Sequence, residues 1–189
     1  MKGGLAPPFV SQLAEWVQGR RGELRDTLAV VFEGGQALTE VERAMASVRE
    51  EICLDTLERL TSAPSVDRVL LVTSSPRLAE PASRLGVDCE QATREGFHFG
   101  RHLAGVIARR KPDSVICLGG VSAPLARACD FDAIARRLKD CDNLVVANNL
   151  LSSDVVGFRP ADAINRISLP ETDNFLAYLL AECGLNPEI

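Results

Sequence analysis

The chain has 189 residues, 46% hydrophobic and 25% charged, the composition of an ordinary globular protein; collagen-like, low-complexity and intrinsically disordered classes are excluded. Its net charge of −5 lacks the basic excess that phosphate-backbone binding requires, so nucleic acid is not an expected partner. Apolar runs such as those at 69–72 and 144–147 fall far short of the roughly 20 residues that cross a bilayer. Residues 1–16, MKGGLAPPFVSQLAEW, carry no apolar signal-peptide core, so a cytoplasmic protein without a membrane partner is expected.

In chain order, residues 1–27 read as an N-terminal extension with a short amphipathic helix over 10–17, ahead of one α/β domain at 28–189. The run LAVVF at 28–32 has the length and Val content of a buried strand. The next segment predicts a helix over 38–60, on which Leu38, Val41, Met45, Val48 and Ile52 advance by three or four. Leu57 and Leu60 continue near the same side, so this face is predicted to pack inward. Thr39 and Glu42 form a capping-box pattern at its start. Residues 66–73 (VDRVLLVT) predict a second strand, and a helical stretch then begins after Pro76, is interrupted by Pro81 and ends at Gly86.

A short strand is expected at 87–92. A helix over 97–110 follows, with Arg109, Arg110 and Lys111 at the negative pole of its dipole. Further strands are predicted at 114–118, 144–147 and 155–158, and further helices at 131–138 and 173–183. Strands that are apolar on consecutive positions and alternate with helices indicate a three-layer α/β/α fold with a mostly parallel sheet. Ligands of such folds bind at the carboxyl ends of the strands. The loops that count are therefore 33–36, 73–76, 119–124 and 148–157.

Gly34 and Gly35 follow the first strand and would let backbone N–H groups approach a phosphate, although a simple turn needs the same residues. Neither a dinucleotide fingerprint nor a P-loop is present. Gly119 and Gly120 open a second post-strand loop that continues through Ser122 and Pro124, and this one reads more strongly as a ligand loop. The pairs Ser74-Ser75 and Ser152-Ser153 suit turn chemistry before phosphate binding. His98 and His102 have the spacing of helical metal ligands, but no acid lies between them, and a surface or hydrogen-bonded pair is expected. Six cysteines include no C-x-x-C pair and are expected to be mostly buried thiols.

The segment 38–88 resembles the first half of the 2-phospholactate guanylyltransferases and related small glycosyltransferase-A-type nucleotidyltransferases. The resemblance rests on Leu38-Thr39, Glu42-Arg43, Asp55 with Leu57, and Val66-Asp67-Arg68-Val69. It continues through Gly96, Pro124-Leu125, Ala147, Arg159-Pro160 and the closing PETDNFLAYL, over roughly 28–183. It implies a nucleotide-diphospho-sugar-transferase-like sheet with one antiparallel strand in its C-terminal half. It also implies a nucleotide or nucleotide-sugar ligand, and Mg²⁺ held by an Asp two residues before the loop Pro. In this chain Ser122 stands at that Asp position, and Val31 and Glu33 stand where the family places a Lys and an Arg.

Ser152-Ser153-Asp154 takes the place of the family's Gly-Gly-Thr-Asn loop, leaving Asp154 as the candidate oxygen ligand for a metal. The expected nucleotide-binding set is Gly34, Gly35, Arg43, Gly120, Ser122, Pro124, Ser153 and Asp154. In it the glycines supply backbone donors, Ser122 and Asp154 supply polar ligands, and Arg43 reaches phosphate. A divergent nucleotidyl- or glycosyl-transferase is the first functional expectation. A non-catalytic relative that kept the fold and serves as a binding or partner subunit is the second, and a generic α/β domain the third. Homo-oligomerisation stays open.

Overall fold

The first strand, β1 (Thr27–Glu33), is covered on both faces, and its neighbours explain why. It pairs in parallel with β2 (Arg68–Thr73) on one side and β4 (Ser114–Gly119) on the other, so that Phe32 stands beside Val72 and Gly119. The sheet has seven strands in the order β3-β2-β1-β4-β6-β5-β7. Its outer members are β3 (Asp88–Gln91), β5 (Leu144–Ala147), β6 (Val155–Arg159) and β7 (Asn186–Glu188). Only β6 runs antiparallel, between β4 and β5. A computed structural model describes residues 25–34, 39–92 and 96–189. The helix expected over 10–17, Gly35 and Leu38 lie outside the described residues.

Side chains alternate across each strand. Leu28, Val30, Val115 and Cys117 face one layer, made of α3 (Phe99–Arg110), a 3₁₀ turn (Ala161–Arg166) and α5 (Leu176–Glu182). Ala29, Val31, Ile116 and Leu118 face the other, made of α1 (Glu40–Thr61), α2 (Pro76–Arg84) and α4 (Ala128–Asp140). The three-layer, mostly parallel α/β/α arrangement expected from the segment order is therefore present, with the antiparallel strand in the C-terminal half. Among the described residues no helix is long and apolar enough to cross a membrane.

Three local expectations are corrected. The apolar stripe of α1 does not pack inward along its whole length: Val41, Met45 and Val48 are 72%, 56% and 53% exposed, and the buried face begins at Cys53 and runs through Leu57 to Leu60. A 22-residue helix is about 33 Å long, roughly 10 Å longer than a seven-residue strand, so its first turns outrun the sheet that would cover them. The capping box at Thr39 and Glu42 is formed as expected.

Helix α2 runs through Pro81 instead of breaking there. Pro81 removes one backbone donor and crowds the carbonyl one turn earlier, yet the helix continues to Arg84, and the Ser75 hydroxyl caps its start by accepting from Arg77 N. The cysteines also divide differently: Cys53 and Cys117 are buried, while Cys89 and Cys129 are exposed and Cys141 and Cys183 lie between. Cys89 sits on the edge strand β3, which pairs with β2 on one side only.

Candidate functional site

Parallel strands end on the same side, so the segments after β1, β2 and β4 converge there. Gly34, Ser74 and the stretch from Gly119 to Ser122 line a cleft of about 500 Å³, with Glu171, Thr172 and Asp173 on its rim. That rim is fastened to the start of α3, where Gly100 N donates to the Pro170 carbonyl at 2.9 Å and Phe99 N to that of Glu171 at 3.2 Å.

One wall is aromatic. The Phe32 ring meets Phe99 edge-on at 5.1 Å and Phe97 at 6.1 Å, and Val72 and Ala92 complete the apolar surface. Phe97 stacks at 4.9 Å on His102. His98 is the cap of α3, its Nδ1 accepting from Arg101 N at 3.4 Å, so the two histidines do not form a helical metal pair.

The facing wall is charged. Glu33 is one residue past Phe32 and turns to the α1 side, where Arg49 Nε and Nη2 approach its Oε1 at 3.1 and 3.0 Å. Burial raises the Glu33 carboxyl above its ordinary value of 4.5, Arg49 opposes that shift, and Glu50 adds to it. The loop after β4 folds over this pair: Gly120 N donates to the Phe32 carbonyl at 2.9 Å, and the Thr56 hydroxyl donates to the Gly120 carbonyl at 3.0 Å. A β-carbon on Gly120 would lie 2.8 Å from both Cys53 Sγ and Glu33 Oε2, so this approach requires glycine.

Of the residues expected from sequence, Gly34, Gly120 and Ser122 come together in the cleft. Gly35 lies outside the described residues. Pro124 is not in the lining; its carbonyl accepts from Arg59 Nη1 at 2.6 Å and ties the loop to α1. Arg43 is near the exposed start of α1 and is not among the lining residues. Ser153 is buried, donating from Oγ to the Asn149 carbonyl at 2.6 Å. Asp154 is exposed, with its Oδ2 accepting from Asn148 Nδ2 at 3.0 Å and its N donating to Asn148 Oδ1 at 2.9 Å. The loop 148–157 thus forms its own structure, and the segment 171–173 takes its place at the cleft.

The residues that sequence reasoning missed are Phe32, Arg49, Phe97, Phe99, Glu171 and Asp173. Arg49 carried a readable signal: it lies four residues before Cys53, on the stripe that turns toward the strands. The contact between residues 99–100 and 170–171 is long-range and had no local signature.

The resemblance implies Mg²⁺, and the residues present do not fit the site it describes. Mg²⁺ takes six oxygen ligands, several of them waters, and is anchored by one or two protein carboxylates. Ser122 offers a hydroxyl, Asp154 is engaged by Asn148, and no group of three or more His, Cys, Asp or Glu gathers among the described residues.

No protein-family model and no curated protein matches the sequence. Solved structures do match the fold. A nucleotidyl transferase from Methanothermobacter is 17% identical, with a TM-score of 0.61 over 86% of this chain and 85% of that one. CMP:2-keto-3-deoxy-manno-octonic acid synthetase, solved with CTP, is 13% identical, with a TM-score of 0.59 over 86% of this chain and 88% of its own. A Mycobacterium tuberculosis H37Rv protein solved as a manganese complex is 15% identical, with a TM-score of 0.53 over 86% and 85%. At these identities, 13–17%, the likeness is one of fold alone.

Proposed function

We propose that residues 28–189 form a divergent nucleotidyltransferase-like domain that binds a nucleotide or nucleotide-sugar in the cleft at the ends of β1, β2 and β4. The observation that carries this reading is the cleft itself. It lies where ligands of such sheets bind, with Phe32, Phe97 and Phe99 along one wall and the glycine loop of Gly119 and Gly120 along another. An aromatic wall of this kind offers a stacking surface to a base. Glu171 and Asp173 on the rim are acceptors for sugar hydroxyls or base amino groups. The proteins of like fold include one solved with CTP.

A second reading is favoured by Ser122 and by the Glu33–Arg49 pair. It is a non-catalytic relative that binds the ligand without transferring it, because the carboxylate at the loop position and the cations near the first strand are both replaced. Nucleotidyl transfer concentrates negative charge on phosphate oxygens, and without a carboxylate-held metal ion the described residues leave that charge largely uncompensated.

Calorimetric titration of the full chain with nucleosides, nucleotides and sugar nucleotides, each with and without Mn²⁺, tests the binding reading. Micromolar to low-millimolar binding that Phe97→Ala weakens supports it, and no heat or thermal shift from any of these ligands sinks it. A pyrophosphate-release assay with the 2-phospholactate and GTP pair, among other donors and acceptors, separates transfer from binding alone.

A further inference from the structure

Among the described lining residues Arg49 is the one cation, set against Glu33, Glu171 and Asp173. Both of its recorded guanidinium contacts in the cleft go to a single oxygen of Glu33, at 3.0 and 3.1 Å. The Glu33 side chain is 6% exposed while that of Arg49 is 45% exposed, so the carboxylate sits inside and the guanidinium stands at the cleft wall. Gly120 brings the loop backbone against the Glu33 carboxylate, and its N–H is already donated to the Phe32 carbonyl, so the anion at this strand end belongs to the protein. A partly buried ion pair is a poor way to gain stability alone, since desolvation offsets much of its attraction.

We infer that Glu33 is a specificity residue of the cleft: its carboxylate holds Arg49 where a ligand phosphate would otherwise sit. This rests on the nucleotide reading above and sharpens it to a ligand class. The cleft takes a nucleoside or sugar moiety whose charge is small or lies away from β1, and it disfavours polyphosphate at the β1 end. A second anion arriving beside Glu33 meets repulsion from a carboxylate whose partner Arg49 is already engaged, and Glu171 and Asp173 in the same cleft lining add negative charge. In the absence of divalent metal, affinity falls from nucleoside through monophosphate to triphosphate.

The test uses the full chain in chelator, at neutral pH and constant ionic strength, with inorganic tripolyphosphate, a nucleoside and its triphosphate as probes. Wild type, Glu33→Gln, Glu33→Ala and the double variant Glu33→Gln with Arg49→Gln are compared, after thermal melts show that each is folded. The expected result is that Glu33→Gln gains about tenfold or more in affinity for tripolyphosphate and for the triphosphate. The gain should be several-fold larger for these anions than for the nucleoside, and it should vanish in the double variant. Glu33→Ala should show the same gain, which separates loss of charge from the shape of the amide.

The inference is overturned if wild type binds triphosphate more tightly than nucleoside without metal. It is equally overturned if removing the Glu33 charge alters melting temperature while leaving the phosphate affinities in place. If no form binds a nucleoside, the nucleotide reading fails, while the tripolyphosphate arm still reports whether Glu33 blocks an anion at Arg49.

Discussion

The Thr56 hydroxyl lies 3.0 Å from the Gly120 carbonyl oxygen, 64 residues along the chain, and this contact fastens the loop after β4 to the buried face of α1. The same loop is held from below by the bond from Gly120 N to the Phe32 carbonyl. Gly120→Ala would put a methyl group 2.8 Å from Cys53 Sγ and Glu33 Oε2. Overpacking of this kind costs about 1 to 3 kcal/mol. Urea unfolding should show that loss, and a change below about 0.5 kcal/mol would contradict the described approach of loop and helix.

Glu33 gives the protein a readable pH dependence. Its folded carboxyl is raised above 4.5, chiefly by burial, so the native state holds this proton more tightly than the unfolded chain does. The stabilisation it brings is complete below the ordinary glutamate value and is lost as pH rises through the raised folded value. Glu33→Gln mimics the protonated form. Its melting temperature should match that of wild type near pH 4 and exceed it at pH 7; a variant less stable than wild type at pH 7 would show that the Arg49 pair outweighs burial.

The two ends of α1 should respond oppositely to substitution. Met45→Gln and Val48→Thr alter exposed positions and should change unfolding free energy by no more than about 0.5 kcal/mol. Leu57→Ala empties a fully buried position and should cost about 2 to 5 kcal/mol. Equal costs at both ends would mean that the first turns of α1 are covered in solution.

Thiol labelling should separate the cysteines by burial. Cys89 and Cys129 are exposed and should react with a maleimide in the native protein. Cys53, pushed up to about 12 mainly by burial with the nearby Glu33 adding to it, carries almost no thiolate at neutral pH. Cys117 is raised too, first by burial and then by Asp173. Both should label only after unfolding, as peptide mass spectrometry would show.

Phe97 is 42% exposed at the cleft wall, so Phe97→Ala should affect stability little while lowering affinity for a bound nucleoside. A stacking contact of this type is worth about 1 to 3 kcal/mol. Calorimetry on the folded variant reads that loss directly.

Most of the fold was legible in the sequence. Consecutive apolar residues in LAVVF and SVICL marked strands buried on both faces, and the segment order marked the helical crossovers. Positions set by a local rule, such as the Thr39 cap, came out as read. The errors fell where a local rule depends on something outside the segment. The Val41, Met45 and Val48 stripe has flawless helical spacing, but spacing says only which residues share a face, and the length of the neighbouring strand decides whether that face is covered. The three-residue β7 and the 3₁₀ turn carried too little apolar pattern to be seen.

The site was legible only in part. Gly34, Gly120 and Ser122 follow strands, so the rule that parallel strands end together was enough to place them. By itself the sequence determined the layers and the strand-end location of the cleft. Only the tertiary structure decided that Glu33 is tied to Arg49, that Phe97 and Phe99 form a wall with Phe32, and that residues 171–173 close the rim instead of Asp154. Those pairings join residues 16 to more than 70 positions apart, and such distances are settled by packing across the sheet, for which no local pattern in the chain exists.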